Sequence, residues 1–102
     1  MNAQLKKGAL ELCVLAQLAP KDRYGYELTD TISQEMSIAA GTLYVILKRF
    51  KEEAYVETYL VESPDGPARK YYHLTPSGHE YLKKSLREWK EFVLAVERLT
   101  EN

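Results

Sequence analysis

Two stretches carry residue types and spacing suited to recognition chemistry: Gly41-Thr-Leu-Tyr-Val-Ile-Leu-Lys-Arg49 and Arg69-Lys-Tyr-Tyr-His-Leu-Thr75. In the first, Leu43, Ile46, Leu47 and Phe50 recur at helical spacing, while Thr42, Tyr44, Lys48 and Arg49 fall on the other face. Hydroxyls and cations on the free face of a helix suit the base edges and phosphates of a duplex. The second stretch reads as a strand that opens on two cations, Arg69 and Lys70, after a tight turn. A helix of this kind followed by a cationic hairpin predicts a winged helix-turn-helix, with one element in a major groove and the other beside phosphates.

The elements that must position these residues are legible in order. Residues from about Gln4 to Leu18 predict a first helix that is apolar almost all round, through Leu5, Ala9, Leu10, Leu12, Cys13, Val14, Leu15, Ala16 and Leu18. Pro20 and the charged Lys21-Asp-Arg23 end it. A second helix is expected from about Tyr24 to Glu35, with Leu28 and Ile32 inward, and a third from about Ala40 to Glu53, with Ser37 as N-cap candidate before it. Tyr55 to Ser63 is rich in β-branched and aromatic residues and reads as a strand. Pro64-Asp-Gly-Pro67 supplies the turn, and Arg69 to Leu74 the return strand. Thr75-Pro76 has the form of an N-cap followed by proline in the first turn. The expected fold is therefore mainly α with a small β-hairpin: a winged helix-turn-helix over residues 1–74 and a long C-terminal helix over 75–102, forming one compact unit.

That last helix has its own pattern. Leu82, Leu86, Trp89, Val93 and Val96 step by four, three, four and three, with Phe92 and Leu99 widening the stripe. A helix of about 25 residues spans about 38 Å, more than a three-helix core can cover. The surplus predicts a homodimer built on the first and last helices, with Leu82, Leu86, Val93 and Val96 as dimerisation residues. Two recognition helices related by a two-fold axis can then read half-sites about 34 Å apart.

Bulk properties narrow the class further. A chain of 102 residues that is 45% apolar fits one domain with a real core. Fourteen Lys and Arg against fifteen Asp and Glu leave a formal charge of −1, so any DNA affinity must come from a local cationic patch. The single cysteine, Cys13, cannot form an internal disulfide and behaves as a small hydrophobe, which predicts a cytoplasmic protein. Lys6 and Lys7 before the apolar run resemble the start of a signal peptide, but Glu11 interrupts the run and no small-residue cleavage site follows. Nothing approaches a membrane span. His73 and His79 lack the company of a zinc site, and no nucleophile elbow or triad is recognisable, so neither a metal, a cofactor nor an enzyme is expected.

Taken together, Tyr24-Gly-Tyr-Glu-Leu28, Gly41-Thr-Leu-Tyr44, Lys48-Arg49, Gly66-Pro-Ala-Arg-Lys-Tyr-Tyr72 and Leu74-Thr75 resemble the PadR family of bacterial transcriptional regulators, in order and spacing over nearly the whole chain. The single short terminal helix is similar to the compact branch that includes multidrug-sensing repressors. The resemblance implies a homodimeric winged-helix repressor of operator DNA, released by a small-molecule effector. It places Tyr24 near phosphates, Thr42, Tyr44, Lys48 and Arg49 on the DNA-facing helix, and Arg69 and Lys70 on the wing. It also places Trp89 near the dimer axis, where it would stack on flat aromatic ligands; read from the residues alone, Trp89 serves equally as dimer-core packing. The chain departs from the family in three places. Ala54 replaces a glycine that often closes the recognition helix, so that helix is expected to end differently. Val45 stands where proline is frequent, and Leu60 near a second tryptophan of some multidrug binders. The alternatives from other classes are a winged-helix protein-interaction module and a small-molecule carrier.

Overall fold

The computed structural model describes residues 3–101; residues 1, 2 and 102 lie outside the described set, as do the side chains of residues 3–7, Leu5 among them. The element order is α1 (Ala3–Leu18), β1 (Arg23–Tyr24), α2 (Gly25–Ser33), α3 (Ala40–Glu52), β2 (Val56–Ser63), β3 (Gly66–Leu74) and α4 (Pro76–Thr100). This is the winged-helix arrangement expected from the sequence. Leu10, Val14, Leu15 and Leu18 of α1 enter one core with Leu28 and Ile32 of α2 and Leu43, Ile46, Leu47 and Phe50 of α3. Val56, Tyr72 and Leu74 close that core from the sheet.

The sheet has the antiparallel order β1-β3-β2. Val56 pairs with Leu74, Thr58 with Tyr72, Tyr59 with Tyr71 and Val61 with Arg69, while β1 adds Arg23 opposite Tyr72 and Tyr24 opposite Tyr71. Because side chains alternate, Val56, Tyr72 and Leu74 face the core, and Tyr59, Tyr71 and Tyr24 form a row on the outer face. Their rings lie 5.6 and 5.5 Å apart, and Tyr26 extends the row 6.4 Å beyond Tyr24. Asp22 braces the same face: its carboxylate accepts from the Tyr59 hydroxyl at 2.6 Å and meets His73 Nδ1 at 2.7 Å.

The corner where α3 stops and α4 starts is tightly tied. The Tyr55 N–H donates to the Phe50 carbonyl at 2.8 Å and the Ala54 N–H to the Lys51 carbonyl at 3.1 Å, the paired bonds of a Schellman ending. Ala54 itself takes φ of 61°, so the helix closes in the left-handed conformation after all, with alanine where glycine would be unstrained. Tyr55 then stacks on Tyr81 at 4.3 Å, and Phe50 meets both rings edge-on. The Thr75 hydroxyl donates to the Ala54 carbonyl at 2.7 Å and accepts from the Gly78 N–H at 3.0 Å, capping α4 as its sequence predicts.

Three expectations shift, and one strand is new. Ser37 does not cap α3: the N-cap is Ala39, two residues later, and no side chain caps it. The second helix stops at Ser33 rather than Glu35, although the Glu35 and Met36 N–H groups still reach back to the Ile32 carbonyl. The return strand begins at Gly66 rather than Arg69. Strand β1 has only two residues, too few to leave a periodic signal.

Candidate nucleic-acid interface

The core face of α3 leaves a free face opposite it. At 100° per residue, Gly41, Val45 and Lys48 fall almost directly away from Leu43, Ile46, Leu47 and Phe50. All three are exposed, and Val45 is 70% so. Tyr44 sits on the flank nearer α2, half in and half out. Its phenol lies over Gly25, where an added Cβ would approach the hydroxyl within 2.5 Å. The glycine at the start of α2 therefore sets the height of the Tyr44 ring.

From Tyr44 the surface continues to the wing. Gly25 follows Tyr24, and the Arg69 guanidinium lies 4.7 Å over the Tyr24 ring, a cation–π contact that joins β3 to the start of α2. The Tyr24 N–H donates to Glu27 Oε1 at 3.3 Å, fixing the first turn of α2. Tyr24, Tyr44, Lys48 and Arg69 are thus held on connected elements, with Thr42 exposed on the first turn of α3. Lys70 is not part of that group. It pairs with Leu60 and points to the opposite face of the hairpin from Arg69, as neighbours on a strand must.

Arg49 also differs from expectation. It is 100° round the helix from Lys48 and turns toward α1, where its Nη2 lies 2.8 Å from Glu11 Oε2. That nitrogen is closed off from solvent, and the contact is a close charge pair rather than an aligned hydrogen bond. Glu53 adds a second carboxylate at 3.8 Å, and the guanidinium covers the Phe50 ring at 5.0 Å. Arg49 therefore anchors α3 to α1. Val45, noted in the sequence only as a departure from a frequent proline, lies at the centre of this outer face.

The long helix α4 packs on α1 through its first half. Leu82 lies against the protomer's own core and Val93 is half-buried, whereas Leu86, Trp89, Phe92, Leu94, Val96 and Leu99 are exposed. Between α1 and α4 lies an open cavity of about 280 Å³, lined among others by Glu11, Tyr81, Glu88, Trp89 and Phe92. Cys13, on α1, is half-buried, and that burial pushes its thiol pKa up. Among the described residues no three His, Cys, Asp or Glu side chains converge as metal ligands, and no helix is long and apolar enough to cross a membrane.

A winged helix with this outer surface defines a class, DNA-binding regulators of transcription, and comparison with known proteins narrows it. The model of the PadR-like family of transcriptional regulators matches residues 14–84. A PadR-like transcriptional regulator from Bacillus cereus superposes with a TM-score of 0.88 at 33% identity, covering 98% of this chain and 99% of that one. A transcriptional regulator from Clostridium thermocellum gives a TM-score of 0.87 at 27% identity, covering 99% of both chains. An uncharacterized protein of Lysinibacillus sphaericus is 34% identical over a 95-residue alignment that covers 89% of this chain and 87% of that protein. The chain belongs to the PadR-like family of transcriptional regulators. It is a regulator of transcription and not an enzyme.

Proposed function

We propose that this protein is a cytoplasmic, ligand-responsive repressor that binds operator DNA as a homodimer. The observation that carries the DNA reading is the connected surface from Lys48 and Tyr44, across Gly25 and Tyr24, to Arg69. On this reading α3 enters the major groove, Tyr44 and Thr42 face base edges, and Lys48, Tyr24 and Arg69 meet phosphates, while Lys70, on the other face of the hairpin, stands outside this set. Arg49 contributes by holding α3 against α1 rather than by touching DNA.

The exposed stripe of Leu86, Trp89, Phe92, Val96 and Leu99 supports dimerisation through residues 75–102, since a patch of that chemistry is costly to leave in water. Leu82 contributes by seating the helix on its own core, and Val93 sits in the middle of the stripe. The cavity beside Trp89 supports an effector site for a flat aromatic or drug-like compound. Glu11 lines that cavity and also pairs with Arg49 of α3, so an occupant that draws Glu11 away loosens the recognition helix.

The test is fluorescence anisotropy of the protein on its own upstream intergenic DNA across a salt series. Parent binding should saturate, beat scrambled competitor and weaken steeply with salt. Lys48→Ala should weaken binding across many sequences and lower the salt slope by about one unit, whereas Tyr44→Ala should also blur base preference. Two variants that bind like the parent would remove the docking geometry. Salt-insensitive behaviour with capture of a protein partner instead of DNA would favour a winged-helix interaction module, the reading that the formal charge of −1 suggests.

A further inference from the structure

Two residues on the outward face of α3 have no explanation inside the chain. Val45 is 70% exposed in the middle of that face. A β-branched residue is a modest helix former, and its apolar surface gains nothing from water. Gly41, one turn earlier on the same face, has no positive φ, and a Cβ built on it would meet nothing within 4 Å. The contrast with Gly25, where a Cβ would strike Tyr44, is direct. Neither packing nor backbone geometry keeps position 41 bare, although glycine there weakens the helix. No contact within the chain accounts for either residue.

We propose that Gly41 and Val45 form an apolar notch that receives the 5-methyl group of a thymine in the major groove, which makes Val45 a sequence-specificity residue. The inference rests on the reading that α3 docks in that groove. Thymine is the base that presents a methyl group there, and an apolar side chain is its natural complement. The missing side chain at position 41 lets the helix backbone approach the base edges more closely. Lys48, less than a turn beyond Val45, holds the register through a phosphate. Each half-site then carries a thymine beneath Val45.

The operator is first selected from randomised duplexes with the wild-type protein. Each thymine is then replaced singly by deoxyuridine, which deletes only the methyl group, and affinities are read by anisotropy. One position per half-site should lose roughly threefold to fivefold in wild-type affinity, the worth of one buried methyl. For Val45→Ala the thymine and deoxyuridine duplexes should bind alike at that position. Gly41→Ala should raise Tm, because alanine is the better helix former, and yet lower affinity for the selected duplex. That opposition of signs is one a merely structural role cannot give. A wild-type protein indifferent to every deoxyuridine, or a penalty that survives unchanged in Val45→Ala, overturns the inference while leaving α3 in the groove. Equal affinity for selected and scrambled duplexes overturns the docking geometry and the inference together.

Discussion

The corner joining α3, β2 and α4 and the outward face of α3 belong largely to one helix and follow opposite rules. At the corner each group has a partner within the chain. The Ala54 carbonyl takes hydroxyls from Thr75 and Ser77, Thr75 both donates and accepts, and Gly78 lets α4 lie against the Tyr55 carbonyl. On the outward face a side chain at Gly41 would meet open space, and Val45 and Lys48 are exposed. If α3 docks as proposed, holding the helix and reading with it are separate tasks, so substitutions in one region should leave the other's measurement alone.

The sharpest way to break that separation is Gly78→Ala. The new methyl would overlap the Tyr55 carbonyl and the Leu74 side chain, and a backbone carbonyl cannot swing aside. Overpacking of this kind should cost about 3 kcal/mol and lower Tm by roughly 10 °C or more in a calorimetric scan at fixed protein concentration. Below that Tm, DNA affinity should be unchanged; a selective loss of affinity would show that the corner also reads.

Gly25→Ala probes the support that α2 gives to the Tyr44 ring on the flank of α3. Its methyl meets the far end of the Tyr44 side chain, which can move, so the stability cost should stay near 1 kcal/mol. Operator affinity should fall by about 1–3 kcal/mol in an anisotropy titration, as for losing a base-contacting side chain. Ala54→Gly should do the reverse. Relief of the left-handed alanine, partly offset by the greater freedom of unfolded glycine, should add about 1 kcal/mol in urea unfolding with no change in DNA binding.

The smallest effect concerns the brace on the wing. The Tyr59 hydrogen bond, aided by His73, holds the Asp22 carboxyl below its ordinary range. Its contribution to stability is full above the unfolded value near about 4 and is lost as pH falls through the lowered folded value. Tyr59→Phe should move the Asp22 pKa upward in a carboxyl NMR titration and make the acid limb of the stability curve shallower. An unmoved Asp22 would mean that His73 alone sets it.

What could be read in the sequence follows from the range of each interaction. The four helices and the hairpin were legible because Leu43, Ile46, Leu47 and Phe50, and their counterparts elsewhere, repeat at local periods. The Thr75-Pro76 cap was legible for the same reason. The ending at Ala54 is not legible in the sequence, since the hydroxyls of Thr75 and Ser77, 21 and 23 residues further on, add to the local Schellman bonds that hold it left-handed. The pairing of Arg49 with Glu11 is not legible in the sequence because the two lie 38 positions apart in the chain. Leu82 matched the dimer seam by spacing, although the protomer's own core claims it. Ser37 fitted a cap by residue type, but the chain turns into the helix only at Ala39.

The row of Tyr59, Tyr71 and Tyr24, tied off by Arg69 above and Asp22 beside it, makes the wing part of the body rather than an arm attached to it. A loose hairpin would make capture of DNA a two-step event, with collision first and ordering of the wing afterwards. A braced one collapses those steps into a single encounter whose rate depends on orientation, because little hairpin entropy remains to be lost. On the proposed docking, how long the protein then stays on a site is left to α3.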